Sequence, residues 1–329
     1  MLAGVNAHHN QSQPPSSDLN LAPQPGTRID DFTVAYQIAR GMNADLFAVW
    51  HHGLRTPLVC KRLRPAAAVI DDNEHNRRGR KWRMLLRREG VTLARLCHPG
   101  IVRLVGQRHD GKAPYLLLEH VGEQTLRDEL RARGRLPVDV SVRIVQHVGA
   151  AVAHAHARGY LHRDLKPSNV ILRGGRPVLL DFGVAWKYAG NLRPPDRSGT
   201  PQRLAPEQIM REPLTPRTDV FGLGVLLFEL LTGVRPFRSG ERLYDSQAPL
   251  SDWYPQLLEL PLTLRRAGRR APARLERVVA RCLAKDLSAR FADVPQLLTA
   301  LDEFTPLKVW PRDAIHEQSD FSPFIEETD

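Results

Sequence analysis

Two short motifs in the middle of the chain restrict its chemistry more than any other feature. Residues 162–169 read His-Arg-Asp-Leu-Lys-Pro-Ser-Asn, and residues 181–183 read Asp-Phe-Gly. Together they supply two carboxylates, an ammonium group and an amide in a fixed order. Phosphoryl transfer requires such a set, because one carboxylate orients the attacking hydroxyl, the lysine offsets charge on the transferred group, and the amide and second carboxylate hold Mg²⁺. The motifs therefore predict a phosphate-transferring enzyme.

The order of these motifs resembles the signature of the eukaryotic-like (Hanks-type) Ser/Thr protein kinase family, most closely its bacterial branch. The resemblance extends over residues 31–303 and includes Leu-Val-Cys-Lys at 58–61 and Gly-Thr-Pro-Gln-Arg-Leu-Ala-Pro-Glu at 199–207. It implies an α+β bilobal protein kinase fold, in which a twisted antiparallel sheet and one helix, the family's helix C, lie over a mostly helical lobe. It also implies ATP- and Mg²⁺-dependent phosphorylation of protein serine and threonine, including autophosphorylation.

The composition is that of a globular protein large enough for two lobes. The chain has 329 residues, of which 42% are hydrophobic and 25% are charged. The most apolar run, residues 220–234, is shorter than a membrane span and contains Glu229. The N-terminus has no apolar segment of the signal-peptide type, and the three cysteines are too widely spaced to predict a disulfide framework. We therefore expect a cytoplasmic protein without a membrane span.

The net charge of the chain is strongly positive, at a formal +11. Nucleic-acid binders often show such an excess. Here the arginines are spread over the whole chain with few aromatic residues among them, which favours general solvation; attraction to acidic protein surfaces is the alternative. The expected partners are ATP and a protein with a Ser/Thr acceptor, and not nucleic acid. The oligomeric state is unknown from the sequence.

The domain organisation follows from composition and from the extent of the resemblance. Residues 1–30 are rich in Pro, Ser, Gln and Asn and predict a disordered leader. A C-terminal tail at 304–329 contains three prolines and is expected to be extended or mobile. The kinase domain lies between them at 31–303 and divides into an N-lobe (31–119), a hinge (119–124) and a C-lobe (125–303).

The resemblance assigns phosphate binding to the start of the N-lobe. The family's GxGxxG loop falls on Ala39, Gly41 and Ala44, so only the middle glycine remains. Glycine serves there because a backbone without Cβ can approach phosphate closely. Taken alone, the segment is a weak signal, and a plain hairpin turn would be the favoured interpretation. Lys61 would bridge the α- and β-phosphates. Cys60 precedes Lys61, and on a strand their side chains should face opposite sides.

The same resemblance implies an adenine pocket between the lobes. Leu46 and Val59 would cover one face of the base and Ile171 the other, with the larger Val59 narrowing the pocket where the family usually has alanine. The backbone from Glu119 to Val121 would hydrogen-bond the edge of the base.

Lys61 requires a helix glutamate, and Glu89 is the predicted partner. The residues after Glu89 reproduce the family's run from helix C to the next strand. The separation of 28 positions (89 − 61) is longer than usual in the family. The excess is a polar insertion at residues 71–80, whose role the sequence does not indicate. Glu74, inside the insertion, is the alternative partner.

The catalytic residues follow from the two central motifs. The resemblance implies that Asp164 accepts the hydroxyl proton or orients the hydroxyl, and that Lys166 lies near the γ-phosphate. Thr200 would contact both of these residues. Asn169 and Asp181 would ligate Mg²⁺, with Mn²⁺ as a second choice, through the oxygen atoms that such cations prefer.

Several structural roles are also implied by the family pattern. His162 and Phe182 would join Leu93 and Leu104 in an apolar column between the lobes, anchored by Asp219. Glu207 would pair with Arg290 as a positioning device. Arg203 replaces a usual tyrosine, which favours acidic or polar residues beside the phosphoacceptor.

Two questions stay open from the sequence. Arg163 precedes Asp164, and such an arginine commonly receives a phosphate on the activation loop, for which Ser198 is the best acceptor. The alternative is an enzyme that is constitutively active with Ser198 as a plain loop residue. The function itself has two rivals, a nucleotide-binding pseudokinase scaffold and a kinase-fold phosphotransferase acting on a small molecule.

Overall fold

The first part of the chain forms a curved antiparallel sheet with one long helix. A computed structural model describes residues 22–64, 74–111, 113–237 and 250–305. The sheet has the strand order β1-β2-β3-β4-β6-β5. Its strands are β1 (Arg28–Ile29), β2 (Phe32–Arg40), β3 (Ala44–His51), β4 (Thr56–Leu63), β5 (Leu104–Arg108) and β6 (Tyr115–Glu119), and helix α1 spans Glu74–Leu93. Helix α1 lies against β4, β5 and β6.

The two faces of this sheet have different functions because strand side chains alternate in direction. On β4, Cys60 is 1% exposed and packs in an outer apolar core that also includes Phe32, Phe47 and Leu117. Lys61, the next residue, points to the opposite face and lines the cleft. The alternation therefore delivers a lysine to the cleft while its neighbours hold the strand in place.

The second part of the chain is mostly helical. Its helices are α2 (Leu126–Arg133), α3 (Val138–His156), α4 (Pro206–Met210), α5 (Pro216–Thr232), α6 (Leu250–Trp253), α7 (Ala273–Cys282) and α8 (Val294–Leu301). Two small antiparallel pairs accompany them, formed by β7 (Tyr160–Leu161) with β10 (Trp186–Lys187) and by β8 (Val170–Arg173) with β9 (Arg176–Leu179). Within the described ranges, no helix combines the length and the apolar character needed to cross a membrane.

Local sequence signals explain where α2 begins and ends. The Thr125 side chain accepts a hydrogen bond from the Asp128 N–H, and the Asp128 carboxylate accepts one from the Thr125 N–H, which forms a capping box. The helix ends at Gly134, whose φ of 72° suits a residue without Cβ.

One apolar core connects the two parts. It runs from Leu63 and Leu86 beneath the sheet, through Phe182, to Phe221 and Leu301 in the helical part. Helix α5 lies at its centre, where it contacts α3, α7 and α8. The expected α+β arrangement of a sheet lobe and a helical lobe is therefore confirmed.

The ordered sheet extends beyond the predicted leader boundary. Residues 22–30 fall in the predicted disordered leader, yet Arg28–Ile29 pair with β2 and Ala22 packs on the outer core. Asp30 accepts hydrogen bonds from Arg108 at 2.7 Å and from Tyr115 at 2.5 Å. A two-residue edge strand leaves no periodic signal in a polar segment, which is why the sequence placed this boundary too late.

The structure also covers parts of the predicted polar insertion and of the predicted C-terminal tail. Residues 74–80 of the predicted insertion belong to α1, so that this part of the insertion lengthens the helix. Thr305 lies in the predicted tail but is buried, and its carbonyl accepts a hydrogen bond from Gln146 at 2.9 Å. Residues 1–21 and 306–329, and hence most of the predicted leader and tail, lie outside the described residues.

Candidate active site

A cleft of about 500 Å³ lies between the sheet and the helical lobe. Its lining combines apolar side chains with charged groups, which is typical of a ligand pocket. Every residue in the sequence-predicted nucleotide set lines it, as do the two predicted metal ligands and Glu89: Ala39, Gly41, Ala44, Leu46, Val59, Lys61, Glu119, Val121, Ile171, Asn169 and Asp181. Residues far apart in the sequence thus meet in one cavity.

The turn between β2 and β3 covers one end of the cleft. The N–H of Gly41 donates to the carbonyl of Ala44 at 3.1 Å, which closes the turn. A Cβ on Gly41 would lie 2.3 Å from that carbonyl oxygen, closer than any real Cβ contact. The glycine that the sequence retains is therefore required by the turn itself, while Ala39 and Ala44 are accommodated at strand positions.

Lys61 lies between two carboxylates. Its ammonium donates to both carboxylate oxygens of Glu89 at 2.8 Å and to Oδ1 of Asp181 at 2.9 Å. Glu89 comes from α1 and is 2% exposed. The alternative partner, Glu74, has a side chain outside the described residues, so the structure brings Glu89 to the lysine across a sequence separation of 28 positions.

The charges of these three groups depend on one another. The ammonium of Lys61 holds the pKa of Asp181 well below its usual range and outweighs the opposing effect of partial desolvation. Burial opposes the charge on Lys61, but the carboxylates of Asp181 and Glu89 outweigh burial and raise the pKa of Lys61. Burial raises the pKa of Glu89 to about 7, with Lys61 opposing the rise. Asp181 is therefore the carboxylate that stays ionised at neutral pH and can ligate a cation.

A second set of contacts surrounds Asp164. Its Oδ1 accepts hydrogen bonds from the hydroxyl and the N–H of Thr200 at 2.7 and 2.8 Å. Lys166 reaches Oδ2 at 2.5 Å and the Thr200 hydroxyl at 3.1 Å. The amide nitrogen of Asn169 donates to the Asp164 carbonyl at 3.0 Å. The three predicted catalytic residues of this half are thus in direct mutual contact.

The backbone around these residues is held in an unusual conformation. Arg163 and Asp181 have φ values of 72° and 56°, in the left-handed region that non-glycine residues seldom adopt. Asp219, which is 1% exposed on α5, accepts hydrogen bonds at 2.8 Å from the N–H groups of His162 and Arg163. These bonds hold the strained loop, and the rings of His162 and Phe182 pack edge to face at 4.8 Å beside it.

The residues present suit a divalent cation. Asn169 and Asp181 line the same cavity. Asn169 offers an amide oxygen and Asp181 offers carboxylate oxygens as metal ligands. The hydrogen bond from the amide nitrogen of Asn169 to Asp164 determines how that amide is oriented. Among the described residues, no cluster of three or more His, Cys, Asp or Glu side chains forms a closed metal cage. Mg²⁺ is usually bound in this way, through one or two protein oxygens with the rest of its shell left for phosphates and water.

The segment after Thr200 is fastened to the helical lobe by two arginine–glutamate pairs. Arg290 binds both carboxylate oxygens of Glu207 at 2.8 and 3.0 Å, and both side chains are buried. Arg203 binds both oxygens of Glu229 at 2.9 Å. The expectation that Arg203 favours acidic residues in a substrate loses its basis, because this guanidinium is already neutralised by a glutamate of α5.

Two partners in these networks were not predicted from the sequence. In the sequence, Glu229 is evident only as a charge that interrupts an apolar run. An acidic residue in the middle of an apolar helix is, however, itself a signal of a buried ion pair. Asp196 also escaped prediction. It lies in the segment between Asp181 and Glu207, where its carboxylate contacts Lys81 and Arg163. No local sequence pattern predicts the contacts of Asp196 with Lys81 and Arg163.

Comparison with known proteins places the chain in a family. Residues 32–300 match the family model described as the protein kinase domain. The chain therefore belongs to the protein kinase family.

Bacterial serine/threonine-protein kinases are among the proteins that it resembles. A probable serine/threonine-protein kinase PknB of Lactococcus lactis is 30% identical over 67% of this chain and 34% of its own length. The serine/threonine-protein kinase PksC of Streptomyces coelicolor is 32% identical over 66% of this chain and 40% of its own length. For the PknB of Mycobacterium leprae, the identity is 32% over 64% of this chain and 34% of that protein. The match thus spans well under half of each relative, and the predicted bacterial Hanks-type resemblance is confirmed.

Proposed function

We propose that this chain transfers the γ-phosphoryl group of ATP to serine or threonine hydroxyls of proteins, itself included. The observation that carries the proposal is the meeting of two networks in one cleft. Lys61, Glu89 and Asp181 form one network, and Asp164, Lys166 and Thr200 form the other. Phosphoryl transfer depends mainly on positioning and on charge stabilisation, and these networks supply both.

The nucleotide binds in the cleft between the lobes. Leu46 and Val59 contact one face of the adenine and Ile171 the other, and the backbone from Glu119 to Val121 binds its edge. The β2–β3 turn at Gly41 covers the phosphates, to which Lys61 donates from its position beside Glu89. The common lining of one cavity by these residues supports the assignment.

The acceptor hydroxyl is oriented by Asp164. Thr200 holds the Oδ1 atom of Asp164, and Lys166 lies beside Oδ2, where its ammonium offsets the charge that develops on the transferred group. Asn169 and Asp181 hold the Mg²⁺ ion, which supplies charge neutralisation for the phosphate oxygens when bound. Mn²⁺ is accepted by the same oxygen ligands.

The test is a phosphotransfer assay on the purified chain. With labelled ATP and Mg²⁺, we expect labelled serine or threonine on the chain and on a generic basic protein. Asp181→Asn removes a metal-ligand charge and should abolish transfer. Asp164→Asn should lower kcat by orders of magnitude with little change in the KM for ATP, because Asp164 acts on the hydroxyl. Asp110→Asn, a change at an exposed residue that does not line the cleft, is the matched control.

Three results would contradict the proposal in distinguishable ways. Nucleotide binding without transfer to any acceptor would indicate a pseudokinase scaffold. Transfer to choline or an aminoglycoside but to no protein would indicate a small-molecule phosphotransferase. Unchanged turnover in Asp164→Asn or Asp181→Asn would remove those residues from the assigned roles.

A further inference from the structure

A carboxylate outside the transfer site connects three separate segments of the molecule. Asp196 lies in the segment between Asp181 and Glu207. Its Oδ2 is 3.3 Å from the ammonium of Lys81 on α1, and its Oδ1 is 3.9 Å from the guanidinium of Arg163. The backbone carbonyl of Asp196 also accepts a hydrogen bond from Arg163 at 3.4 Å. One aspartate thus contacts both the helix that carries Glu89 and the loop that carries Asp164.

Arg163 needs such a counter-charge. Its side chain is 1% exposed, and burial lowers its pKa, with the charge of Asp196 and, to a smaller extent, that of Asp219 opposing this effect. Its Nε atom has no hydrogen-bond partner among the described residues, and one of its terminal nitrogens donates to the Val184 carbonyl at 3.3 Å. A buried guanidinium without a nearby anion is costly, so Asp196 contributes to keeping Arg163 in place.

A tryptophan makes the same connection by a second route. Trp186 lies on β10, which pairs with β7. Strand β7 comes directly before residues 162–169, the catalytic loop that carries Asp164. The guanidinium groups of Arg88 and Arg163 lie 5.7 and 5.8 Å from its ring. Arg88 precedes Glu89 on α1. The position of the helix is therefore coupled to the catalytic loop through Asp196 by two ionic contacts and through Trp186 by two cation–π contacts.

From this geometry we infer that Asp196 is a positioning residue that holds α1 against the catalytic loop. It does so while the activation segment, residues 181–207, carries no phosphate. The inference rests on the proposed kinase function and concerns how that activity is maintained. A phosphate at this place would bring about −1.5 to −2 charges to Arg163, and Asp196 supplies a permanent −1 charge there instead. The chain is active as synthesised.

The position of Ser198 agrees with this inference. Its hydroxyl donates to the Oδ1 atom of Asp196. A phosphate on Ser198 would bring further negative charge next to the Asp196 carboxylate and would compete with it for Arg163 and Lys81. It follows from the inference that phosphorylation of Ser198 is not the activating step, which selects the constitutively active enzyme from the two alternatives that the sequence leaves open.

The experiment compares full-length variants after phosphatase treatment, with mass spectrometry to verify that residues 181–207 carry no phosphate. Turnover is measured as transfer from labelled ATP to a generic basic protein. Wild type should keep its activity. Asp196→Asn should lower kcat by about five- to 150-fold, the usual range for coupling between two parts of a protein. Asp196→Glu, which keeps the negative charge, should restore most of the wild-type kcat, and Ser198→Ala should have the wild-type kcat.

A double-mutant cycle separates positioning from general destabilisation. Lys81→Met removes the partner on α1, whose side chain is 48% exposed, and should lower kcat by about two- to fivefold. In the double variant, Lys81→Met should lower kcat no further than Asp196→Asn alone, since the contact between Asp196 and Lys81 is already lost. Lys81→Met also reports on the contact if Asp196→Asn fails to fold.

Two outcomes would overturn the inference while the kinase assignment stands. These are a loss of wild-type activity on dephosphorylation, and wild-type kcat in both Asp196→Asn and Lys81→Met. An absence of transfer by wild type before any phosphatase treatment would instead contradict the proposed function.

Discussion

At the scale of single residues, the two central aspartates have different surroundings that match different tasks. Asp181 lies against the ammonium of Lys61, which keeps its pKa low and its carboxylate ionised for a cation. Asp164 is surrounded by hydrogen-bond donors from Thr200 and Lys166, which set the direction of its oxygens. The sequence predicts both carboxylates and the contact of Thr200 with Asp164, but only the structure shows that Lys61 holds Asp181.

The three cysteines offer a test at the same scale. Cys60 and Cys282 are buried, and burial raises the pKa of each thiol to about 12, whereas Cys97 is exposed. With iodoacetamide at pH 8, we expect the exposed Cys97 to be modified first. Because the thiolate is the form that reacts, Cys60 and Cys282 should react roughly a thousandfold more slowly than a reference thiol of pKa about 8.5, or only on unfolding.

Peptide mass mapping over time measures these rates, and the same reaction in denaturant is the control, in which all three should react equally. Rapid labelling of Cys60 in the native protein would contradict the assignment of its side chain to the outer core.

At the scale of elements, the β2–β3 turn and helix α1 show how departures from the family pattern are accommodated. The turn keeps a glycine only where a Cβ would strike the backbone, at Gly41. Helix α1 includes residues of the polar insertion and still brings Glu89 to Lys61. An insertion near the beginning of a helix adds turns there and leaves the spacing of later residues unchanged, which is why the predicted pair forms.

Gly41→Ala tests the turn. The added Cβ must displace the Ala44 carbonyl and disrupt the hydrogen bond that closes the turn, which is worth roughly 1 kcal/mol. We expect the KM for ATP to rise about fivefold, with a smaller change in kcat. Gly106→Ala on β5 is the matched control, since its Cβ would meet only the Leu117 side chain at an ordinary 3.6 Å. Equal KM values for the two variants would exclude the turn from ATP binding.

At the scale of the whole molecule, a continuous apolar core links the lobes, and a buried ion pair helps to determine how the segment after Thr200 sits on the helical lobe. Glu207 and Arg290 are each 1% exposed and join α4 to the loop between α7 and α8. Such a pair adds little stability compared with apolar residues of the same size, but it leaves a costly unpaired charge when one partner is removed.

This difference can be measured with two arginine variants. Arg290→Ala leaves Glu207 buried without its partner, and we expect the free energy of unfolding to fall by about 3–5 kcal/mol. Arg274→Ala removes an exposed pair with Glu303 on the same lobe and should cost about 0–1 kcal/mol. Chemical denaturation followed by circular dichroism gives both values. A loss below 1 kcal/mol for Arg290→Ala would show that Glu207 finds another partner or water.

The order of residues alone is enough to predict the fold class and the main features of the candidate site. The residues to which we assign phosphotransfer chemistry lie in short runs, so that Asp164, Lys166 and Asn169 are recognisable without knowing the fold. Lys61 and Glu89 are predictable because each lies in an element with its own periodic pattern. Contacts within an element or a short run depend on local geometry, and the order of residues records that geometry directly.

The pairs Lys61–Glu89 and Glu207–Arg290 were predictable, but other meetings of distant charges become visible only in the folded protein. Arg203 with Glu229, and Asp196 with Lys81 and Arg163, join segments whose local sequences carry no sign of each other. Their meeting depends on how α1, α5 and the activation segment pack around the catalytic loop. A side chain becomes a buried partner only after apolar packing has removed the water around it, and this packing is a property of the whole fold rather than of any short stretch of sequence.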